Sequence, residues 1–301
     1  MKNKKIVITG ALGMIGSALA EKYSADNTII GIDIKDTKNE LFDELYVHDC
    51  TQFFGLHGII MSEEPDIIFH CASPVGVEEV LNNDRATQRA MKINMNIYDI
   101  CESLKCELIF FSSSELYGNR MNISILDDTF LPPSINNKRG GYAAQKAVSE
   151  FIFNEGDFKN LNIRLFNITG KTQSTTKGVI PLLINKLIIG EEITINHDIR
   201  TFLDIDDFIE QFDEIIKDYK SNDLKLIGDH SASNTIKIVD LLDLIVMRLD
   251  YHQIQYNKKS YVKRNVLNDS GNYSIRSLMK TSDKINKSIE NIIDDIIDRY
   301  R

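Results

Sequence analysis

Tyr142 and Lys146 stand four residues apart in Tyr142-Ala143-Ala144-Gln145-Lys146. On a helix that spacing puts both side chains on one face, one turn apart. A phenol with a pKa near about 10 is a poor base at neutral pH. A close ammonium, helped by a second positive charge, favours the phenolate. Such a pair could take the proton of a hydroxyl while a hydride leaves the carbon that bears it. Ser112-Ser113-Ser114-Glu115 follow the apolar run Leu108–Phe111. A hydroxyl there can hydrogen-bond the reacting oxygen and pass its proton to the tyrosine. Each feature alone also has a plainer reading: a surface helix that carries Tyr and Lys, and serines that form a turn.

Hydride transfer needs an acceptor, and the start of the chain offers a cradle for one. Thr9-Gly10-Ala11-Leu12-Gly13-Met14-Ile15-Gly16 follows the apolar Lys5-Ile6-Val7-Ile8 and opens the helical pattern Ser17–Tyr23. A strand that turns through glycines into a helix brings backbone N–H groups close to an anion. A second apolar run, Thr28–Ile32, ends in Asp33. An acid at that point can accept both hydroxyls of a ribose and repels a 2′-phosphate, which favours NAD over NADP. Lys35 works slightly against that preference, and the plainer role for Asp33 is a strand-end cap.

The elements that must position these groups alternate along the chain. Strands are expected at Lys5–Thr9, Thr28–Asp33, Glu44–Val47, Asp66–His70, Leu108–Ser112 and Asn162–Phe166. Helices are expected at Gly13–Ala25, Gln52–Met61, Arg85–Leu104 and Tyr142–Gly156. The short, continuously apolar strands are those of a sheet covered on both faces. The expected fold is therefore α/β, a doubly wound parallel sheet of Rossmann type over residues 1–167. Residues 168–301 mix helices (Val179–Ile189, Asp206–Tyr219, Ile236–Leu249) with short strands (Ile193–Ile195, Leu224–Ile227), as expected of a smaller C-terminal α+β substrate lobe. The chain is expected to cross between lobes around 204–230. Asn257–Asn272 reads as loop, and Ser282–Arg301 as a polar helix whose isoleucine stripe packs inward.

Composition narrows the functional classes. Among 301 residues the formal net charge is −9, which argues against general nucleic-acid binding. No apolar run reaches membrane-spanning length, and no signal pattern is present. Cys50, Cys71, Cys101 and Cys106 lack metal-type pairing and read as reduced packing residues of a cytoplasmic protein. The histidines show no ligand spacing, so no metal site is expected.

Together the glycine loop, the serine segment and Tyr142/Lys146 resemble the extended short-chain dehydrogenase/reductase family, specifically its nucleotide-sugar enzymes. The likeness runs over residues 4–210. Thr9, Gly10, Gly13 and Gly16 match the family's Thr-Gly-x-x-Gly-x-x-Gly pattern, which implies that Gly10, Gly13, Met14, Ile15 and Gly16 hold NAD with Asp33. Asp49 is similar to the acid that contacts adenine. Cys71-Ala72-Ser73, after His70, is similar to the segment that lines the dinucleotide, and Asn94 falls at the family's helix asparagine. By this register the catalytic hydroxyl is Ser113, working with Tyr142 and Lys146. Asn167 falls where the family contacts the sugar nucleotide, and Arg200 where an arginine grips the diphosphate; the planar guanidinium fork suits phosphate.

Ser114 and Glu115 occupy positions that vary with the reaction. Ser-Glu resembles the UDP-glucuronate decarboxylases and some GDP-mannose dehydratases, and Arg139 and Ala72-Ser73-Pro74 resemble the decarboxylase pattern. Oxidation at the sugar's C4 yields a β-keto acid that can lose carbon dioxide, with Arg139 orienting the carboxylate and Glu115 managing a proton. Nucleotide-sugar 4-epimerisation is the alternative, then 4,6-dehydration or net C4 reduction or dehydrogenation. The chain departs from the family at Gly170-Lys171-Thr172 and at the short Asn196-His197-Asp198-Ile199 turn. Arg264 or Arg276 is a candidate second phosphate contact. The resemblance also implies a homodimer through the Arg85–Leu104 and Tyr142–Gly156 helices.

Overall fold

Val7, Ile8, Ile29, Ile30, Ile68 and Phe69 are almost wholly excluded from solvent, because the strands that carry them are covered on both faces. The computed structural model describes residues 1–37, 39–73, 83, 85–118, 140–193, 195, 199–229, 233–257 and 287–301, with the backbone alone of 122–123 and 276–277. The chain divides into two compact units. One comprises Met1–Gly118, Asp128–Leu165 and Ile209–Ile227; the other comprises Asn119–Asp127, Phe166–Phe208 and Gly228–Arg301.

The first unit is built on a seven-stranded sheet of order β10-β7-β5-β4-β1-β2-β3. Its strands are β1 (Lys5–Thr9), β2 (Thr28–Asp33), β3 (Glu44–Val47), β4 (Ile67–His70), β5 (Glu107–Ser113), β7 (Asn160–Leu165) and β10 (Asp223–Ile227), all pairing in parallel. Helices α1 (Met14–Tyr23), α2 (Phe53–Glu63), α3 (Ala86–Leu104) and α4 (Gly140–Glu155) alternate with them. The chain steps outward from β1 through β2 to β3, then returns to β4 on the other side of β1. That reversal makes the carboxyl ends of β1 and β4, where Thr9 pairs with His70, the switch point at which such sheets bind ligands. One face of the sheet is packed by Ile93, Ile97 and Ile100 of α3, Phe153 of α4, and Leu56 and Ile60 of α2.

Leu224–Ile227, read among the short strands of the C-terminal region but inside the 204–230 stretch where the chain is expected to cross between lobes, belongs to the large sheet. Asp223–Ile227 pairs in parallel with Leu161–Leu165. That pairing satisfies the outer N–H and C=O groups of β7, which would otherwise go without partners.

The second unit holds a three-stranded sheet of order β11-β9-β8, from β8 (Asn167–Thr169), β9 (Ile199–Asp204) and β11 (Thr235–Lys237). A two-stranded pair joins β6 (Asn122–Ile123) to β12 (Arg276–Ser277). Its core is formed by α5 (Val179–Ile189), α7 (Ile238–Tyr251) and α8 (Ile289–Ile297), through Leu183, Leu187, Leu241, Ile245, Ile292 and Ile296. The isoleucine stripe of the C-terminal helix is thus core. Helix α6 (Ile205–Ile215) spans the boundary between the units. Of the expected strand Ile193–Ile195, residue 194 lies outside the described residues, as do 196–198 of the short turn that follows it. Asn257–Asn272 lies almost wholly outside them.

Candidate active site

The glycine loop is tight enough that side chains cannot enter it. Gly10 has φ +67°, and a Cβ there would stand 2.8 Å from the Ala72 nitrogen. A Cβ at Gly16 would stand 2.4 Å from the Gly10 carbonyl oxygen. Gly13 is the N-cap of α1 in extended conformation, with no side-chain cap and no acidic residue in the first turn. Met14 and Ile15, half-buried, begin that helix. The first-turn N–H groups of such a helix start are of the kind that suit an anion.

Asp33 closes the other side. Its Oδ2 accepts from the Leu12 N–H at 2.9 Å, and its Oδ1 from the Lys35 N–H at 3.0 Å. The carboxylate thus pins the loop to the end of β2, and each oxygen keeps lone-pair capacity for a ribose hydroxyl. The cap reading and the ribose reading are compatible. Asp49 accepts from the Thr51 N–H at 2.9 Å and from Arg89 of α3 at 2.7 Å. Burial pushes its pKa up, but these donors outweigh it and hold the carboxyl below the usual range.

Thr9, Ala72, His70 and Asn94 form one buried chain of hydrogen bonds. The Ala72 N–H donates to Thr9 Oγ1 at 3.2 Å, and that hydroxyl lies 2.7 Å from His70 Nδ1. His70 Nε2 lies 2.9 Å from Asn94 Oδ1. Asn94 Nδ2 donates to Ser149 Oγ at 2.6 Å and to Gln145 Oε1 at 3.3 Å. An Asn oxygen can only accept, so the His70 proton sits on Nε2 and Thr9 donates to Nδ1. Burial first, then the Lys146 charge, pushes His70 down to about 4, although the Asn94 bond opposes this. The ring is neutral at physiological pH. The network runs from the glycine-loop strand through β4 and α3 to α4. Cys71, next in line, donates its N–H to the Thr9 carbonyl at 3.0 Å, and burial pushes its thiol up. Ser73 is half-buried at the end of this segment.

Helix α4 carries Tyr142 and Lys146. Lys146 Nζ donates to the Phe111 carbonyl at 2.6 Å and lies 4.6 Å from the centre of the Phe110 ring. Burial pushes Lys146 down to about 8, against the opposing pull of Cys71 and Glu150. Tyr142 is pushed up to about 12, chiefly by burial; its hydrogen bond with Ser113 lowers it and the Glu115 charge raises it. Ser113 caps the 3₁₀ turn Ser114–Tyr117, accepting from the Glu115 N–H at 3.2 Å. Ser114 is buried and Glu115 half-buried in that turn. The register that selects Ser113 thus selects the hydroxyl bonded to Tyr142. Its neighbour Ser112 is buried with no partner among the described residues.

Two expected substrate contacts belong to the second unit. Asn167 donates its amide to the Thr201 carbonyl at 3.0 Å. Arg200 lies on β9, opposite Ile236. Arg139, Pro74 and Arg264 lie outside the described residues, and Arg276 is placed by its backbone alone. Among the described residues no group of acidic, Cys or His side chains could hold a metal ion, and no helix is long and apolar enough to cross a membrane.

Sequence reasoning missed His70 as a hub, with Gln145 and Ser149, and it missed the buried ion pair of Arg164 and Glu150. One signal was available: an arginine inside a strand that is covered on both faces needs a buried acid.

The sequence profile of the NAD dependent epimerase/dehydratase family matches residues 6–227. The dTDP-D-glucose 4,6-dehydratase of Dictyostelium discoideum is 27% identical over 261 residues, 77% of this chain and 60% of the dehydratase, so the chain spans less than two thirds of that relative. The UDP-N-acetyl-alpha-D-glucosaminuronate decarboxylase of Bacillus cytotoxicus is 24% identical over 277 residues, covering 86% of this chain and 83% of that one. Among solved structures, the Thermus thermophilus UDP-glucose 4-epimerase complex with NAD superposes with a TM-score of 0.76 at 16% identity, over 99% of each chain.

Proposed function

The chain belongs to the NAD dependent epimerase/dehydratase family, and from that premise we propose that it modifies a nucleotide-activated sugar through a transient 4-keto stage, with decarboxylation of a UDP-glucuronate-like substrate as the net reaction. The carrying observation is that Tyr142 is bonded to Ser113, while Lys146, one helical turn on, is anchored on the carbonyl of Phe111, two residues before Ser113. The side-chain-free cradle of Gly10 and Gly16, the uncapped start of α1 and the Asp33 carboxylate fit NAD, which supplies the hydride acceptor and, later, the hydride donor.

The chain's own residues do the rest. Ser113 hydrogen-bonds the sugar's 4-hydroxyl and holds it beside the phenol. Tyr142 takes the hydroxyl proton and returns it at the end. Lys146 supplies the positive charge that favours the phenolate. Once C4 is a ketone, the C6 carboxylate is a β-keto acid, and electrons from the breaking C5–C6 bond flow toward the C4 oxygen. The Glu115 charge, which raises the Tyr142 pKa, supports the reading that this carboxyl handles the proton that C5 takes up once carbon dioxide has left. Arg139, through its charge, would orient the carboxylate.

Release of carbon dioxide from UDP-glucuronate, without net change in nicotinamide absorbance, is the expected result. Active protein that releases none, and instead interconverts C4 epimers, would move the assignment to epimerisation. Tyr142→Phe should abolish turnover while retaining NAD affinity. The same reading includes a homodimer through α3 and α4, whose Met95, Val148 and Phe151 are exposed; elution as a monomer at micromolar concentration would refute it.

A further inference from the structure

Arg164 on β7 makes two parallel hydrogen bonds to Glu150 on α4, Nε to Oε1 at 2.9 Å and a terminal nitrogen to Oε2 at 2.8 Å. Both side chains are nearly excluded from water. The guanidinium carbon also lies 4.8 Å from the centre of the Tyr117 ring, and Tyr117 is wholly buried at the end of the 3₁₀ turn that Ser113 caps. Glu150 is one helical turn beyond Lys146 and two beyond Tyr142, so it shares their face of α4. One side chain therefore touches both the helix that carries the base and the turn that carries its hydroxyl partner.

We propose that Arg164 is a positioning residue for the reaction: it clamps the Ser113–Tyr117 turn against the Tyr142 face of α4 and so fixes the Ser113–Tyr142 hydrogen bond. This rests on the function proposed above. The planar fork matters here. It makes both bonds to the Glu150 carboxylate and still has a donor for the Tyr117 side chain, with which it forms a hydrogen bond. A lysine supplies the charge but not the fixed fork that bonds both Glu150 oxygens and reaches Tyr117.

The test is Arg164→Lys in the full chain, with hydrogen exchange read by mass spectrometry and, where turnover exists, kcat and KM separately. The Glu115 and Gly118 amides, which bond Ser113 Oγ and the Glu115 carbonyl, should exchange about tenfold faster or more, with the rest of the sheet unchanged. kcat should fall about tenfold or more, with KM and NAD affinity within about threefold of the parent. Unchanged exchange in that segment, uniformly faster exchange, or unchanged kcat overturns the proposal. Should Arg164→Lys not fold, Tyr117→Leu, which leaves the ion pair intact, carries the same expectations. A parent that turns over no nucleotide sugar would refute the proposed function, and the exchange measurement would still judge the clamp.

Discussion

Gly16→Ala isolates the cradle from everything else in the protein. The added Cβ would lie 2.4 Å from the Gly10 carbonyl oxygen and 2.9 Å from both the Ala11 Cα and the Ala11 carbonyl oxygen. All three are backbone atoms, so no flexible side chain can swing aside and the loop itself must move. Overpacking of this kind costs about 1–3 kcal/mol. The atoms displaced are those proposed to line the pyrophosphate, so the cost appears in cofactor affinity. By the logarithmic relation between affinity and free energy, NAD should bind roughly 5- to 150-fold more weakly. Gly58→Ala is the control. It sits inside α2 with nothing within 4 Å of its virtual Cβ, so relief of glycine's chain entropy should stabilise the fold by about 0.5–1 kcal/mol without altering NAD affinity. Calorimetric titration of both variants with NAD, beside their thermal melts, decides the matter. A Gly16→Ala protein that binds NAD like the parent would show that the loop does not hold the dinucleotide.

Three further outcomes follow from the same geometry. His70 has a folded pKa of about 4 against an unfolded value near about 6.5, so the unfolded chain binds the extra proton between them; stability is full above about 6.5 and falls by about 3 kcal/mol as pH drops through about 4. His70→Gln should flatten that part of the urea-denaturation profile, and an unchanged slope would refute the neutral-ring assignment. Lys146, held down at about 8, should lose its charge as pH rises past that value, so kcat should decline on the alkaline side; a rate flat to about pH 10 would contradict its role. Ser113→Ala should lower kcat by about a hundredfold or more with little change in NAD affinity, and near-parental turnover would remove Ser113 from the site.

The parts of this fold legible in the sequence are those whose information is local. β1, β2 and β4 stand out as continuous apolar runs, and α4 as a helix carrying Tyr142 and Lys146. The hydropathy pattern starts β7 late, at Asn162–Phe166 rather than Asn160–Leu165, because polar residues break it. Asn160 and Asn162 are buried and both donate to Asn154 Oδ1, at 3.1 and 2.8 Å. Burial of that kind depends on a partner six or eight residues away in another element, which a hydropathy pattern cannot supply. The sheet that β10 joins is open in the sequence for a similar reason: an apolar pentapeptide in the 204–230 crossing stretch reads the same whichever sheet it completes. The His70 network is the least legible feature, because Thr9, His70, Asn94 and Ser149 come from four elements and acquire meaning only when those elements are packed.

Tyr142 and Lys146 on α4 are shifted in opposite directions by one cause. Burial disfavours charge, so it raises the phenol of Tyr142 to about 12 and lowers the ammonium of Lys146 to about 8. At neutral pH the chain by itself therefore keeps a proton on both. The Ser113 bond lowers the phenol's pKa but leaves Tyr142 far from ionising. A further positive charge beside the phenol is needed to bring its pKa toward neutrality. The oxidised nicotinamide carries that charge, whereas the reduced ring does not. On the proposed function, the buried phenol would ionise most readily beside the oxidised ring and would hold its proton most tightly beside the reduced one, until hydride return restores the positive charge and favours giving that proton back. A more exposed Tyr142 would be less dependent on the cofactor's charge and would lose that ordering. The apolar packing around α4, which a sequence shows only as helix, is in this sense part of the chemistry.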